Sequence, residues 1–207
     1  MEASTGLPYW ARQRNITVLA DSVLQSGEPG LHNVMSCRRL SIRGRPALML
    51  HIAEREFREA RRRVAPLVVV GLGHNSLWER GRHRYDFWSA RFDREAERLV
   101  WTLRGLGARQ IVWVTIREPR PEFLTAAGRA ELGTYSWYFP YVNERLRLLD
   151  ARRDDVALAD WTAVSNRRGL TYDSIHLTSA GARLMARTIR SAIRAESERQ
   201  ALARAPR

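Results

Sequence analysis

Short apolar segments alternate with longer amphipathic ones along this chain, and that alternation limits its fold more than any other feature. The apolar segments are 16–20, 39–42, 67–70, 110–116 and 156–159, of which the second is the weakest. Strands that read as nearly continuous Val, Ile and Leu are typical of a parallel sheet covered by helices on both faces. The sequence therefore predicts a doubly wound α/β domain with a five-stranded parallel sheet.

The segments between these strands carry apolar residues at helical spacing. They predict helices over 46–63, 86–103, 142–152 and 178–199. The stretch that follows the first strand is predicted to be broken by Gly27, Pro29 and Gly30. Pro46 suits the first turn of the helix that it begins. The connection over 117–141 is long and rich in proline, glycine and aromatic residues.

A chain of 207 residues suits one domain. We predict an N-terminal extension over 1–15, the α/β domain over 16–199 and a C-terminal tail over 200–207. The sequence shows no secretory signal and no membrane-spanning segment, and Cys37 is its only cysteine. The expected compartment is the cytoplasm, with an extracytoplasmic location as the alternative if the chain is a fragment.

The formal net charge is +13, and all 35 basic residues are arginine. Such a charge attracts polyanions, but no known nucleic-acid-binding motif accompanies it, so we expect no specific nucleic-acid partner. The last predicted helix has one face of arginines, which predicts a solvated surface; they are Arg183, Arg187, Arg190 and Arg194. A non-catalytic module that binds polyanions remains the alternative from another functional class.

Two motifs, one near each end of the chain, carry residues suited to nucleophilic catalysis. Ligands bind in doubly wound sheets beyond the carboxyl ends of the strands, and Ser22 directly follows the first strand. Asp173 precedes His176 by three residues, just before the last helix. An aspartate so placed can hold the Nδ1 proton of the imidazole and leave Nε2 free to act as a base.

These motifs belong to an ordered series. Asp21-Ser22 follows the first strand, Gly44 the second and Gly73-His74-Asn75 the third, and Asp173-x-x-His176 precedes the last helix. In this order and spacing the chain resembles the SGNH (GDSL-type) hydrolase family from about 16 to 193. Two positions depart from the family pattern, because Ala20 replaces a usual glycine and Ser76 a usual aspartate.

The resemblance implies a flavodoxin-like three-layer α/β/α sandwich, the SGNH hydrolase fold. It implies that Ser22 is the nucleophile, His176 the base and Asp173 the carboxylate that orients the base. The oxyanion would be bound by the backbone N–H groups of Ser22 and Gly44 and by the side-chain amide of Asn75. No metal and no organic cofactor is implied.

Four further residues are candidates for contact with the substrate. His74 flanks Asn75, and Arg117, which follows the fourth strand, suits a carboxylate or phosphate of the substrate. Trp137 and Tyr138 belong to an aromatic cluster over 135–141. That cluster has two interpretations, a platform for an acyl group or a sugar and a hydrophobic plug that packs the loop onto the core.

The predicted function is a serine esterase or deacylase that hydrolyses a small acyl ester through an acyl-enzyme. The alternative on the same site is an O-acyltransferase that moves the acyl group to a sugar or another alcohol. The predicted partner is a small-molecule or carbohydrate acyl ester in either case.

Overall fold

The computed structural model describes residues 6–76, 85–118 and 136–205, together with Glu122, Ala126 and Arg129. The strands are β1 (Asn15–Ala20), β2 (Arg39–Gly44), β3 (Leu67–Gly71), β4 (Gln110–Val114) and β5 (Val156–Ala159). The helices are α1 (Tyr9–Arg12), α2 (Ser22–Ser26), α3 (Glu28–Val34), α4 (Leu50–Ala60), α5 (Tyr85–Gly105), α6 (Phe139–Arg152), α7 (Trp161–Ser165) and α8 (Ser179–Arg204). A 3₁₀ turn at Ser136–Tyr138 leads directly into α6.

The strands form one parallel sheet in the order β2-β1-β3-β4-β5, which confirms the predicted α/β architecture. The chain leaves β1 for β2 on one side and returns to place β3 on the other. The ends of β1, β2 and β3 are in register, because Ala20 pairs with both Gly44 and Gly71. The order reverses between β1 and β3, where doubly wound folds bind ligands, and Ser22 follows β1 at that point.

Alternate residues of the strands pack on opposite faces of the sheet. On β3, Val68 and Val70 belong to one buried cluster while Leu67 and Val69 belong to the other. The first cluster lies under α4, α5 and α6, and the second lies under α3 and α8. The sheet is therefore the middle of three layers, with helices packed on both of its faces. The carboxyl ends of the strands, which carry the candidate site, belong to this buried sheet.

The helix predicted to begin at Pro46 begins at Leu50 instead. Pro46 and Ala47 form a turn in which Ala47 has a positive φ of 57°. Leu48 and Leu50 are both buried, and extended backbone allows two residues at this spacing to pack into a core more readily than a helix does. Packing of the chain that enters α4 therefore outweighs the proline signal.

Gly30, predicted as a break, lies inside α3. A Cβ at this position would come within 2.4 Å of the backbone of Ala182 in α8. The glycine therefore allows two helix backbones to approach closely, and Pro29 occupies the first turn of α3, where a missing N–H costs nothing.

Both predicted terminal segments contact the domain where they are described. Trp10 in α1 belongs to the second buried cluster and donates a hydrogen bond from Nε1 to Oε1 of Gln200 at 2.9 Å. Gln200 in turn donates from Nε2 to Oε1 of Gln110 in β4 at 2.8 Å. The last helix continues to Arg204, beyond its predicted end at Arg199. Among the described residues, no helix is both long enough and apolar enough to span a membrane.

Candidate active site

Ser22 lies at the first position of α2, directly beyond the carboxyl end of β1. Asp21 caps this helix, since its Oδ1 accepts hydrogen bonds from the backbone N–H groups of Val23 at 3.0 Å and Leu24 at 3.3 Å. Only Asp21 separates the end of β1 from the start of α2, and in this short turn Ser22 is half-buried while Asp21 is fully buried. The cap fixes the serine at the reversal point of the sheet.

The loop before α8 carries Asp173 and His176. A bridge between Thr171 and Leu177 closes it, and the N–H of Tyr172 donates to the carbonyl of His176 at 3.1 Å. The N–H of Leu177 donates to Oγ of Ser26 in α2 at 2.9 Å. The loop is therefore joined directly to the helix that carries Ser22.

The structure brings Ser22, His176 and Asp173 together. His176 Nε2 lies 2.9 Å from Ser22 Oγ, and His176 Nδ1 lies 2.6 Å from Asp173 Oδ2. These distances suit a hydroxyl that donates to one ring nitrogen and a carboxylate that holds the proton of the other. The arrangement can deprotonate Ser22 as its oxygen attacks a carbonyl carbon.

Asp173 is held by more than the imidazole. Its Oδ1 accepts the backbone N–H groups of His176 at 2.8 Å and Ile175 at 3.3 Å. Burial alone would raise the pKa of Asp173, but the hydrogen bonds from the ring and backbone of His176 outweigh it and lower the pKa below its usual value. The carboxylate therefore stays ionised, as an orienting group for histidine must.

The residues predicted to form the oxyanion hole surround the same strand ends. Gly44 has a φ of 151°, and a Cβ there would lie 1.9 Å from the carbonyl oxygen of Ala20, so only glycine fits beside β1. Asn75 follows β3, and its buried Nδ2 has no hydrogen-bond partner among the described residues. A buried amide without a partner is costly unless a ligand completes it.

His74 and Tyr138, predicted as candidates for substrate contact, are enclosed instead. His74 is 7% exposed, and its Nδ1 lies 3.4 Å from Asp21 Oδ2. Tyr138 is fully buried and donates its hydroxyl to the carbonyl of His74. Burial, followed by the charge of Asp21, raises the pKa of Tyr138 far above its usual value, so the hydroxyl remains a donor. Both side chains brace the turn that carries Asn75.

Arg117, expected to bind an anionic group of the substrate, is enclosed as well. Its side chain is buried, and its guanidinium donates to Oγ1 of Thr171 and to the carbonyl of Ser174 at 2.9 Å. A longer bond of 3.4 Å reaches the carbonyl of Arg167. The arginine thus ties the end of β4 to the loop that carries Asp173.

The aromatic cluster predicted over 135–141 lies partly within the described residues. Trp137 is half-buried and packs its ring edge-on against Tyr138 and Tyr141, with centroids 5.6 and 6.3 Å apart. Phe139 is buried in the core and contacts the His74 ring edge-on at 5.7 Å. Tyr138 and Phe139 therefore pack as the plug interpretation predicts, whereas Trp137 keeps part of its side chain exposed and Tyr135 lies outside the described residues.

Ser26 and Tyr172 also lie at this site, although neither was predicted from the sequence. Ser26 ends α2, and its position four residues after Ser22 gave no signal of its contact with a loop 151 positions away. Tyr172 precedes Asp173 and stacks on the His176 ring. Its place beside the Asp-x-x-His motif is a signal that could have identified it. Among the described residues, no group of His, Cys, Asp and Glu is placed to hold a metal ion.

Solved structures with this fold span nearly the whole chain. The catalytic domain of peptidoglycan O-acetyltransferase A from Streptococcus pneumoniae is 18% identical over 90% of this chain and 96% of that chain, with a TM-score of 0.65. A GDSL-like lipase from Bacteroides thetaiotaomicron is 14% identical over 88% of each chain, with a TM-score of 0.65. An acetyl xylan esterase is 15% identical over 86% of this chain and 98% of that chain, with a TM-score of 0.63.

These likenesses show that the chain has the fold of the SGNH (GDSL-like) hydrolases, which confirms the fold expected from its motifs. No protein-family model and no curated protein matches the chain.

Proposed function

We propose that this protein is a serine esterase that removes a small acyl group from an alcohol through a covalent acyl-enzyme. The observation that carries the proposal is the continuous hydrogen-bonded path from Ser22 Oγ to His176 Nε2 and from His176 Nδ1 to Asp173 Oδ2. A hydroxyl, a base and an orienting carboxylate in this order are what acyl transfer to serine needs.

In the first half-reaction, Ser22 Oγ attacks the ester carbonyl and gives its proton to His176 Nε2. The negative charge on the carbonyl oxygen is stabilised by the backbone N–H groups of Ser22 and Gly44 and by the Asn75 amide, each worth about 3 kcal/mol in comparable sites. When the C–O bond breaks, His176 returns the proton to the leaving alcohol. The acyl group then remains on Ser22.

In the second half-reaction, water attacks the acyl-enzyme. His176 takes a proton from that water, and the tetrahedral intermediate collapses to release the carboxylic acid and regenerate the Ser22 hydroxyl. Asp173 stays ionised throughout and keeps the imidazole in the tautomer that both half-reactions use. Every proton transfer thus passes through His176 Nε2.

The experiment compares wild-type protein with Ser22→Ala on p-nitrophenyl acetate and p-nitrophenyl octanoate. We expect the variant to lose about a thousandfold or more in kcat/KM, since removal of a triad nucleophile leaves only binding and the oxyanion hole. Ser41→Ala is the matched control, because Ser41 is exposed on β2. Equal turnover by wild type and Ser22→Ala would exclude Ser22 as the nucleophile.

A covalent label tests the same serine without turnover. Phenylmethanesulfonyl fluoride should add one sulfonyl group to the wild-type protein and none to Ser22→Ala, as measured by intact mass. An unlabelled wild-type protein that also hydrolyses no ester would contradict the proposal and favour a polyanion-binding module instead.

A second candidate function is O-acyl transfer, favoured by the fold likeness to a peptidoglycan O-acetyltransferase domain over 90% of this chain. The first half-reaction is unchanged, and a sugar hydroxyl replaces water as the acceptor in the second. Assays with an acetyl donor and excess sugar separate the two functions. An acetylated sugar without free acetate identifies the transferase, whereas free acetate alone identifies the esterase.

A further inference from the structure

Tyr172 is a large aromatic residue that stays exposed beside the candidate catalytic histidine. It is 68% exposed, and its ring lies nearly parallel to that of His176, with an angle of 18° and centroids 5.9 Å apart. Parallel rings in full face-to-face contact lie closer than this, so the two rings are offset. Since the residue is 68% exposed, much of the tyrosine ring is left uncovered by the described residues.

The backbone of Tyr172 is fixed although its ring is exposed. Its N–H donates to the carbonyl of His176, and the adjacent Thr171 forms the bridge to Leu177. The next residue, Asp173, is fixed by two backbone N–H groups. A ring on a fixed backbone loses little conformational entropy when a ligand stacks on it, which favours binding.

The chemistry of the site decides which part of a substrate meets this ring. The leaving alcohol must receive its proton from His176 Nε2, so its oxygen lies within hydrogen-bond reach of the imidazole edge. A bulky alcohol therefore extends along the imidazole, toward the ring that lies parallel to it. The acyl carbon, by contrast, is bonded to Ser22 on the other side of Nε2.

We propose that Tyr172 is a specificity-determining residue that forms an alcohol-side subsite for a ring-bearing alcohol, whose apolar face stacks on the tyrosine. The proposal rests on the proposed function, because it uses the direction in which the alcohol leaves. The shared ligand chemistry is a flat apolar face, which both the C–H face of a sugar and an aryl ring supply.

The test measures kcat/KM for three acetates that differ only in the alcohol: ethyl acetate, benzyl acetate and a mono-O-acetylated methyl glucoside. The quantity compared is the ratio of each ring ester to ethyl acetate, which cancels a general effect on His176. We expect Tyr172→Ala to lower this ratio by about tenfold, mainly through KM, and Tyr172→Phe to keep it within about twofold.

A fall for the sugar ester alone identifies a carbohydrate subsite, and a fall for the benzyl ester alone identifies an aryl one. Equal losses for all three esters would overturn the proposal, because they would mean that Tyr172 only supports the imidazole. Unchanged ratios would overturn it as well. Thermal unfolding of each variant checks that the exposed substitution leaves the fold intact.

Ligand-observed NMR with benzyl alcohol and methyl glucoside supplies a readout that needs no turnover. Binding to wild type that is lost in Tyr172→Ala and kept in Tyr172→Phe supports the subsite even if no ester is hydrolysed, in which case the proposed function alone fails. Binding that is equal in all three proteins would overturn the subsite.

Discussion

Two histidine–carboxylate pairs lie next to Ser22, and they differ in access and in geometry. His176 and Asp173 are partly exposed, and their facing atoms lie 2.6 Å apart. His74 and Asp21 are buried, and their closest atoms lie 3.4 Å apart. Only His176 presents its second ring nitrogen to the Ser22 hydroxyl, whereas both ring nitrogens of His74 lack a hydrogen-bond partner within the described residues.

This difference indicates that one pair is suited to proton transfer and the other to structural support of the site. A base must exchange protons with a substrate, and His176 is partly exposed, as the proposed base must be, while its carboxylate is fixed by backbone donors. The other pair is enclosed, and its carboxylate caps α2 through Oδ1 while Tyr138 holds the His74 carbonyl. The buried pair, His74 and Asp21, therefore shapes the strand ends that carry Ser22 and Asn75. In the proposed reaction only the open pair, His176 and Asp173, is placed to move protons.

Removal of the open imidazole should have the largest effect on activity. We expect His176→Ala to lower kcat/KM for p-nitrophenyl acetate by about a thousandfold or more, because both half-reactions use Nε2. Since the side chain is partly exposed, the unfolding temperature should change little. His32→Ala, at an exposed site paired with Glu28, is the control and should keep wild-type activity. A loss below tenfold in His176→Ala would remove this residue from the mechanism.

Loss of the orienting charge should have the next largest effect. We expect Asp173→Asn to lower kcat by about a hundredfold or more, because the amide no longer enforces the tautomer with a free Nε2. The structure also predicts a dependence of stability on pH. The lowered pKa of Asp173 means that its stabilising contribution is complete above the ordinary carboxyl range and is lost as the pH falls through the lowered pKa.

Urea unfolding of wild type and Asp173→Asn at several pH values measures that contribution. The difference between the two midpoints should be constant near neutral pH and shrink in acid. A difference that grew on acidification would contradict the direction of the pKa shift.

Arg117 supports the loop that carries the open pair, and its removal should have an intermediate effect on activity. Ser174 has a φ of 87°, a conformation that non-glycine residues rarely adopt, and its carbonyl accepts from Arg117. Arg117→Met keeps the aliphatic stem but leaves that carbonyl without its donor. We expect kcat to fall by about tenfold and stability by about 1–3 kcal/mol.

A positioning role for Arg117 predicts that kcat falls more than KM rises, because the residue would then act through the loop that carries Asp173 and not by contact with the substrate. Steady-state kinetics separate the two parameters, and urea unfolding gives the free energy. Arg117→Lys should recover part of the activity because it restores one donor. A large rise in KM with unchanged kcat would mean instead that Arg117 contacts the substrate.

The sequence predicted the open pair better than its support, for physical reasons. Ser22, Asp173 and His176 lie in short motifs next to element boundaries, where local spacing carries the signal. Arg117 follows β4, but its partners lie in a loop more than 50 positions later, so its sequence position suggested a ligand contact. Its burial depends on tertiary packing, which no local pattern encodes.

In the fold, too, features that depend on tertiary packing could not be predicted from local sequence patterns. The strands were predictable because their apolar runs are dictated by burial on both faces of the sheet. The interior position of Gly30 in α3 was not, because it depends on a contact with Ala182 of α8. Likewise, Leu48 and Leu50 delay the start of α4 through packing of a particular turn.

Substitution of the buried imidazole should have the smallest effect on activity, which sharpens the comparison between the two pairs. His74→Gln keeps polar atoms beside Asp21 but loses the ring that packs edge-on against Phe139. We expect stability to fall by about 1–2 kcal/mol while kcat/KM for p-nitrophenyl acetate falls by less than tenfold. Urea unfolding and steady-state kinetics on the same preparation measure both quantities. A loss of activity as large as that of His176→Ala, with stability unchanged, would show that the buried pair takes part in proton transfer and that burial does not separate the two roles.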